Sequence, residues 1–332
     1  MLKIVLDAMG GDYAPQEQVK GAILATKQLG IETILVGRRS VLEPLLAEHG
    51  ADGRVSIEDA PDVVDMGEAP LKAVRSKPNS SLMVAARLVK EGQAAGLVSC
   101  GNTGATMAAA LFSWGRIPGI ERPALGTVMP TVKGASVLLD VGANAENRPQ
   151  HLLQFGIMGA LYSQQVLGVE NPTVGLLNVG EEPGKGNTLV KEAYGLLADS
   201  GLNFIGNVEG HQFFAGQCDV VVCDGFTGNI VLKSAEGLAQ GIFSILKEEL
   251  TGSLRAKLGA LLAKPAFKGL KQKLDYTEYG GAPLLGLNGI CIVSHGRSDA
   301  KAVMNALRVA KQTAAGNLPQ LITRYVEEKV EQ

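Results

Sequence analysis

PTVGLLNVGEEPGKGNTLVKEAYGLLADS, residues 172–200, runs a short apolar stretch into a glycine-rich loop and then into an amphipathic helix pattern. One such unit is only a turn between two elements. Here it recurs at KIVLDAMGGDYAPQEQVKGAILATKQLG (3–30), AAGLVSCGNTGATMAAALFSW (94–114) and ASVLLDVGANAENRPQHLLQFGIMGALYS (135–163). It returns at CDVVVCDGFTGNIVLKSAEGLAQGIFSIL (218–246) and GICIVSHGRSDAKAVMNALRVAKQTAAG (289–316). Strands alternating with helices predict a mostly parallel sheet with helices on both faces, a three-layer αβα architecture. Pro15, Asn187 and Ser298 or Asp299 mark helix starts, and Gly30 and Gly316 suit helix ends. The units differ in period, so they share a pattern rather than a repeat. We read 1–332 as one α/β domain with an insertion at 247–275.

Within the opening stretch, Lys185 follows a strand and precedes a helix, as in a P-loop, but Gly180 to Gly184 is one residue short of G-x-x-x-x-G-K-[ST]. Gly186 stands where the metal-binding Ser or Thr belongs. A nucleotide site, a plain turn with Lys185 paired to Glu181 or Glu182, and a phosphate site of another kind all remain open on these residues. Helix N-termini present unpaired N–H groups and partial positive charge, so SCGNTGAT, VGEEPGKGNT and CDGFTGNI are candidate anion cradles. Arg75 and Lys77 fall in a loop before a helix capped by Asn79 or Ser80, either as solvated charges or as an anion site.

Composition excludes several classes. The net charge of −2 supplies no field for nucleic acid. No apolar run reaches the roughly 18–20 residues of a membrane span. Cys100, Cys218, Cys223 and Cys291 lack C-x-x-C spacing and read as reduced core thiols of a cytosolic protein, and the four histidines form no H-E-x-x-H. The G-x-S-x-G elbow is missing, and His295 to Asp299 is one residue short of H-x-x-x-x-D. A reaction that needs two bound substrates and oxyanion stabilisation fits better than covalent catalysis.

Taken together, LDAMGGD (6–12), Arg75-x-Lys77-x-x-Ser80-Ser81, SCGNTGA (99–105), LLDVGAN (138–144), NVGEEPGKGN (178–187), DGFTGN (224–229) and YGGAPLLGLNG (279–289) resemble the PlsX family of phosphate acyltransferases. The resemblance runs from Ile4 to about Ala310. It implies the fold of isocitrate and isopropylmalate dehydrogenases and of phosphotransacetylases, a homodimer and no nicotinamide; no cofactor and no metal site are expected. The implied reaction converts fatty acyl carrier protein (acyl-ACP) and inorganic phosphate into acyl phosphate and free carrier. The implied product feeds a membrane glycerol-3-phosphate acyltransferase at the start of bacterial phospholipid synthesis. Carried over by position, Lys185 and Asn229 are the expected catalytic pair. Gly101, Asn102, Thr103, Gly104, Gly186 and Asn187 are expected to hold phosphate. Asp140 and Asn144 are expected to order the cleft, with Asp224, Thr227 and Gly228 beside Asn229, and Arg75 and Lys77 supplying positive charge. After LLDVGAN, Glu146, Asn147, Arg148 and Pro149 replace the family's usual Asp and Cys-Lys-Pro.

GSLRAKLGALLAKPAFKGLKQKL, 252–274, is basic with no acidic residue. Leu254, Leu258, Leu261 and Leu262 share a helical face with Arg255, Lys257 and Lys264 nearby, and Pro265 is expected to end that helix before Phe267 and Lys268. The expected form is a protruding helical hairpin, meeting an anionic membrane surface, the acidic carrier protein or a twin subunit. A cytoplasmic protein bound peripherally to membrane follows from the first of these. Rival expectations are a short-chain phosphate acyltransferase, an NAD-dependent oxidoreductase of similar fold, and a non-enzymatic scaffold for lipid synthesis.

Overall fold

The computed structural model describes residues 2–274 and 279–330, with the side chains at 268, 270–274, 329 and 330 outside that description. Its strands are β1 (Lys3–Asp7), β2 (Glu32–Gly37), β3 (Val55–Asp59), β4 (Gly96–Ser99), β5 (Ala124–Thr131) and β6 (Gly134–Leu139). They continue with β7 (Val174–Leu177), β8 (Phe204–Val208), β9 (Val220–Val222), β10 (Ala282–Leu285) and β11 (Cys291–Val293). The helices are α1 (Gln16–Leu29), α2 (Arg39–Glu48), α3 (Pro70–Ser76), α4 (Ser81–Lys90), α5 (Thr103–Trp114) and α6 (Pro149–Tyr162). After these come α7 (Thr188–Ala198), α8 (Gly210–Phe214), α9 (Gly225–Thr251), α10 (Leu254–Leu274), α11 (Ala300–Ala315) and α12 (Leu318–Val330).

All the described strands join one sheet in the order β3-β2-β1-β4-β11-β10-β5-β6-β9-β7-β8. Both flanks are parallel, as the alternating pattern predicts. The centre is not: β11–β10, β10–β5 and β5–β6 pair antiparallel. These three reversals set the second parallel flank against the first. Side chains alternate across the sheet, so β1 sends Val5 to one core layer and Ile4 and Leu6 to the other, and β6 does the same with Leu138 against Val137 and Leu139. One layer spans both flanks on one face, while the opposite face carries a separate layer for each flank.

The expected helix signals mostly hold. Pro15 is the N-cap position of α1, the Asn187 side chain caps α7 at Val190 N (2.9 Å), and Asp299 caps α11 at Ala302 N (2.9 Å). Gly30 closes α1 in the left-handed conformation. Gly316 sits at the C-cap of α11 with ordinary φ, and the positive φ falls one residue later on Asn317. Of the two expected loop cations only Lys77 is in the loop before α4, as the C-cap residue of α3; Arg75 lies in the last turn of α3, and Ser80 rather than Asn79 caps α4.

Pro265 does not end its helix. α10 runs through it, because its neighbours are strong helix formers and because α10 packs along α9 on both sides of the proline, with Leu261 and Phe267 sharing a groove with Phe243, Leu246 and Leu250. The two paired helices are therefore α9 and α10, joined at Gly252–Ser253, and the first of them starts at Gly225 rather than near 247. Position 275 of the expected insertion lies outside the described residues.

Candidate active site

Asp140 directly follows β6 and organises the loop that it opens. Its Oδ1 accepts N–H bonds from Leu125 (3.0 Å), Gly142 (3.2 Å) and Ala143 (3.0 Å), and its Oδ2 accepts from Asn144 N (2.8 Å) and Nδ2 (2.9 Å). Asn144 Nδ2 also reaches Pro123 O (2.8 Å), tying this loop to the chain entering β5. Burial pushes the Asp140 carboxyl up, against the pull of these N–H donors. The Asp140 carboxylate and both N–H groups of the Asn144 amide are thus engaged by protein.

The first turn of α9 packs directly on this loop. A Cβ on Gly228 would stand 1.9 Å from Asp140 O, and one on Gly225 would stand 2.4 Å from Asn144 O, so only glycine permits the approach. Asp224 caps the helix, accepting from Thr227 N (2.9 Å) and Thr227 Oγ1 (2.7 Å). That leaves Asn229, which is exposed and makes no described hydrogen bond, beside Gly142. In the altered segment that follows, Asn147 Oδ1 accepts from Gly225 N (3.4 Å), Arg148 pairs with Glu121, and Pro149 opens α6.

Loop 178–187 leaves β7, the parallel neighbour of β9, at the same sheet edge. Asn178 Nδ2 donates to Lys185 O (3.1 Å), and Asn207 Nδ2 donates to Glu182 O (2.9 Å). Gly186 turns with φ +90°, and a Cβ there would meet Asn178 Oδ1 at 2.5 Å. The loop is thus pinned by its backbone while Lys185 stands exposed. Among the described residues Lys185 forms no ion pair within 4.0 Å, and the expected surface pairing with Glu181 or Glu182 is not seen; Glu181 bonds Gln212 instead.

Across the sheet, the Asn102 side chain caps α5 through Ala105 N (3.0 Å) and donates to Met66 O (2.8 Å) and Glu68 O (3.1 Å). It has no free polar group left for an anion. What remains there are the first N–H groups of α5, at Thr103 and Gly104. Gly101 packs on Gly10, and Gly104 packs on Pro70. Lys77 is spent too: its Nζ bonds Glu68 Oε1 (2.5 Å) and Val63 O (2.7 Å). Arg75 lies over the Phe112 ring at 5.7 Å. Lys77 is thus ion-paired while exposed Arg75 has no described ion pair, and neither lines the cavity that Asn229 lines.

A cavity of about 360 Å³ brings Thr103, Gly142 and Asn229 together, where the sheet reverses direction between its two flanks. Its walls include Leu125, Val128 and Leu232, with polar groups from Tyr279, Ser294, His295 and Ser298. Lys233 and Glu236 also line it. Sequence reading missed these last two; their spacing from Asn229 at i+4 and i+7, one helix face, was the available signal. Lys185 is not among the lining residues. No group of three or more His, Cys, Asp or Glu residues suited to a metal occurs among the described residues.

The four cysteines are buried, and desolvation pushes Cys100, Cys218 and Cys291 up to about 12 and Cys223 well above its ordinary value. They are core thiols. No described helix is long and apolar enough to cross a membrane.

The profile of a family described as "Fatty acid synthesis protein" matches residues 2–321. A protein of Heliobacterium modesticaldum named phosphate acyltransferase is 54% identical over 332 residues, covering 99% of each chain. The chain belongs to the phosphate acyltransferase family. It is an acyltransferase. The Pelotomaculum thermopropionicum member is also 54% identical, over 98% of this chain and 95% of its own. Among solved structures, a phosphotransacetylase from Streptococcus pyogenes superposes with a TM-score of 0.66 at 20% identity, covering 95% of this chain and 94% of that one. A 4-hydroxythreonine-4-phosphate dehydrogenase from Klebsiella pneumoniae gives 0.57 at 14% identity, over 95% and 100%. At these identities the acyltransferase shares a fold with them.

Proposed function

We propose that this acyltransferase moves a long-chain fatty acyl group from the thioester of acyl carrier protein to inorganic phosphate, releasing acyl phosphate and the free carrier thiol. The observation that carries this reading is the match, along essentially the whole chain, to proteins named phosphate acyltransferase. In the step, a phosphate oxygen forms a bond to the acyl carbon, the carbon–sulfur bond breaks, and the proton of hydrogen phosphate ends on sulfur. Much phosphate is already dianionic at neutral pH, so the barrier lies in bringing anion and thioester together in register. Lys185 neutralises charge on the nucleophile or the developing oxyanion, and Asn229 donates to that oxyanion. Both are unencumbered, Lys185 on a loop pinned through its backbone and Asn229 near the start of α9. The N–H groups at Thr103 and Gly104, with those at Gly186 and Asn187, receive phosphate. The buried thiols, unsuited to act as nucleophiles, favour direct attack over an acyl-enzyme.

Within this reading the chain is one domain of the dehydrogenase-like class, acting as a homodimer without a cofactor. The paired α9 and α10 form its protruding arm. Leu254, Leu258, Leu261 and Leu262 are exposed on α10, with Leu238, Ile242 and Ile245 exposed on α9. Arg255, Lys257 and Lys264 surround them; the side chain of Lys268 lies outside those described. An apolar, cationic surface of this kind suits an anionic membrane, placing a cytoplasmic enzyme where its acyl phosphate meets a membrane glycerol-3-phosphate acyltransferase.

The test is phosphate-dependent release of carrier from palmitoyl-ACP by purified protein, with acyl phosphate detected directly and acetyl-CoA run alongside. Turnover of palmitoyl-ACP is expected. Preference for acetyl-CoA would replace the long-chain reading with a short-chain one, and no acyl phosphate from any donor would remove the reaction.

A further inference from the structure

α9 presents Asn229, Leu232, Lys233 and Glu236 to the cleft as one stripe, at positions i, i+3, i+4 and i+7. Lys233 Nζ sits 2.8 Å from Glu236 Oε2, with the glutamate side chain only 14% exposed and the lysine 53%. An i,i+3 pair on a solvated helix face contributes little and needs no explanation. This pair differs in its surroundings: it stands in the wall of the cavity that holds Asn229 and Thr103. Among the described residues lining that cavity, Lys233 is the one lysine or arginine. The described lining therefore carries one lysine or arginine charge, separate from Lys185, which lies outside that lining, and that charge is masked by a carboxylate that is itself largely withdrawn from water.

We propose that Lys233 is a second substrate-binding cation of this enzyme, which leaves Glu236 to hold a phosphate group while the acyl transfer takes place. An ammonium is a compact point charge on a flexible stem, so it can swing from Glu236 to a ligand without any movement of α9. Glu236 has two effects: it positions the amine, and it competes with the incoming anion. Two sources carry the same chemistry, the free phosphate nucleophile and the phosphodiester of the carrier's prosthetic arm. The inference rests on the acyl-phosphate reading above.

The experiment compares wild type with Lys233→Met, Lys233→Arg and Glu236→Gln, using palmitoyl-ACP and inorganic phosphate. A separate arm measures the rise in melting temperature given by inorganic phosphate alone. Lys233→Met is expected to raise one KM tenfold or more, leaving the other within twofold, and Lys233→Arg is expected to restore most of the loss. A raised KM for phosphate, with a smaller phosphate-induced thermal shift, assigns the contact to the nucleophile. A raised KM for palmitoyl-ACP, with that thermal shift intact, assigns it to the carrier arm. Glu236→Gln, which removes the competing charge but keeps a hydrogen bond, is expected to lower the affected KM severalfold. If neither KM nor the thermal shift moves in Lys233→Met while wild type turns over, the inference falls and the acyl-phosphate reading stands. If wild type makes no acyl phosphate, that reading falls, and the thermal arm alone decides whether Lys233 binds phosphate.

Discussion

Asp140 and Leu262 mark the extremes of this molecule. Asp140 is fully buried and accepts five N–H bonds, four from the loop it organises and one from Leu125 of β5, whereas Leu262, an apolar side chain, is 85% exposed. The contrast extends to the regions around them. The loops at the sheet's carboxyl edges are clamped by side chains turned inward, among them Asp140, Asn144, Asn102, Asn178 and Asn207, so the groups left facing outward are held in place. Along α9 and α10, Leu238, Leu254, Leu258, Leu261 and Leu262 stand exposed. One region holds its polar groups in fixed positions and the other leaves apolar side chains in solvent, and substitutions in the two should fail in different ways.

The largest effect is expected from Gly228→Ala, whose Cβ would stand 1.9 Å from Asp140 O. Backbone there cannot yield cheaply, so a loss of more than about 4 kcal/mol is expected in chemical denaturation. A variant of ordinary stability would show that the clamped region is softer than its geometry implies. Next is Lys185→Ala. Its side chain carries no described ion pair or hydrogen bond, so stability should change by less than about 0.5 kcal/mol. The rate of acyl phosphate formation should fall by about 10²–10³-fold, the effect of losing one group that stabilises developing charge. An active Lys185→Ala would move the chemistry away from this loop.

A smaller effect is expected at Glu17, which joins α1 to α11 by accepting from Lys20 Nζ (3.0 Å) and Ala300 N (2.8 Å). The Lys20 hydrogen bond holds its carboxyl below the usual range. A depressed folded-state value stabilises the protein above the unfolded value near 4.5, and that contribution is lost as pH falls through the folded value. Glu17→Gln should therefore cost about 0.5–1 kcal/mol at pH 7. The gap to wild type should close as acid is added, and a constant gap would contradict the linkage. The smallest effect on folding belongs to the arm. Leu258→Glu with Leu262→Glu should leave melting within about 1–2 °C, since both side chains are already solvated. The same pair should abolish low-salt sedimentation with anionic liposomes, and retained binding would take the membrane contact away from this face.

Much of the fold was legible because strand–loop–helix units announce themselves locally. Asn187, Asp299 and Gly30 act within a few residues of where they stand, so their roles could be read from neighbours alone. Pro265 misled for the same reason: its local penalty is real, but packing of α10 on α9 outweighs it. The sequence by itself determined six strand–loop–helix units, which loops are glycine-rich, and, through motifs in order, the family. Tertiary structure alone decided the three central strand reversals and the partners that silence Lys77 and Asn102. It also decided that Lys233 and Glu236 share a cavity wall with Asn229. Ion pairs and cavities depend on where distant segments meet, and 4 Å between side chains carries no trace in the spacing of residues along a chain.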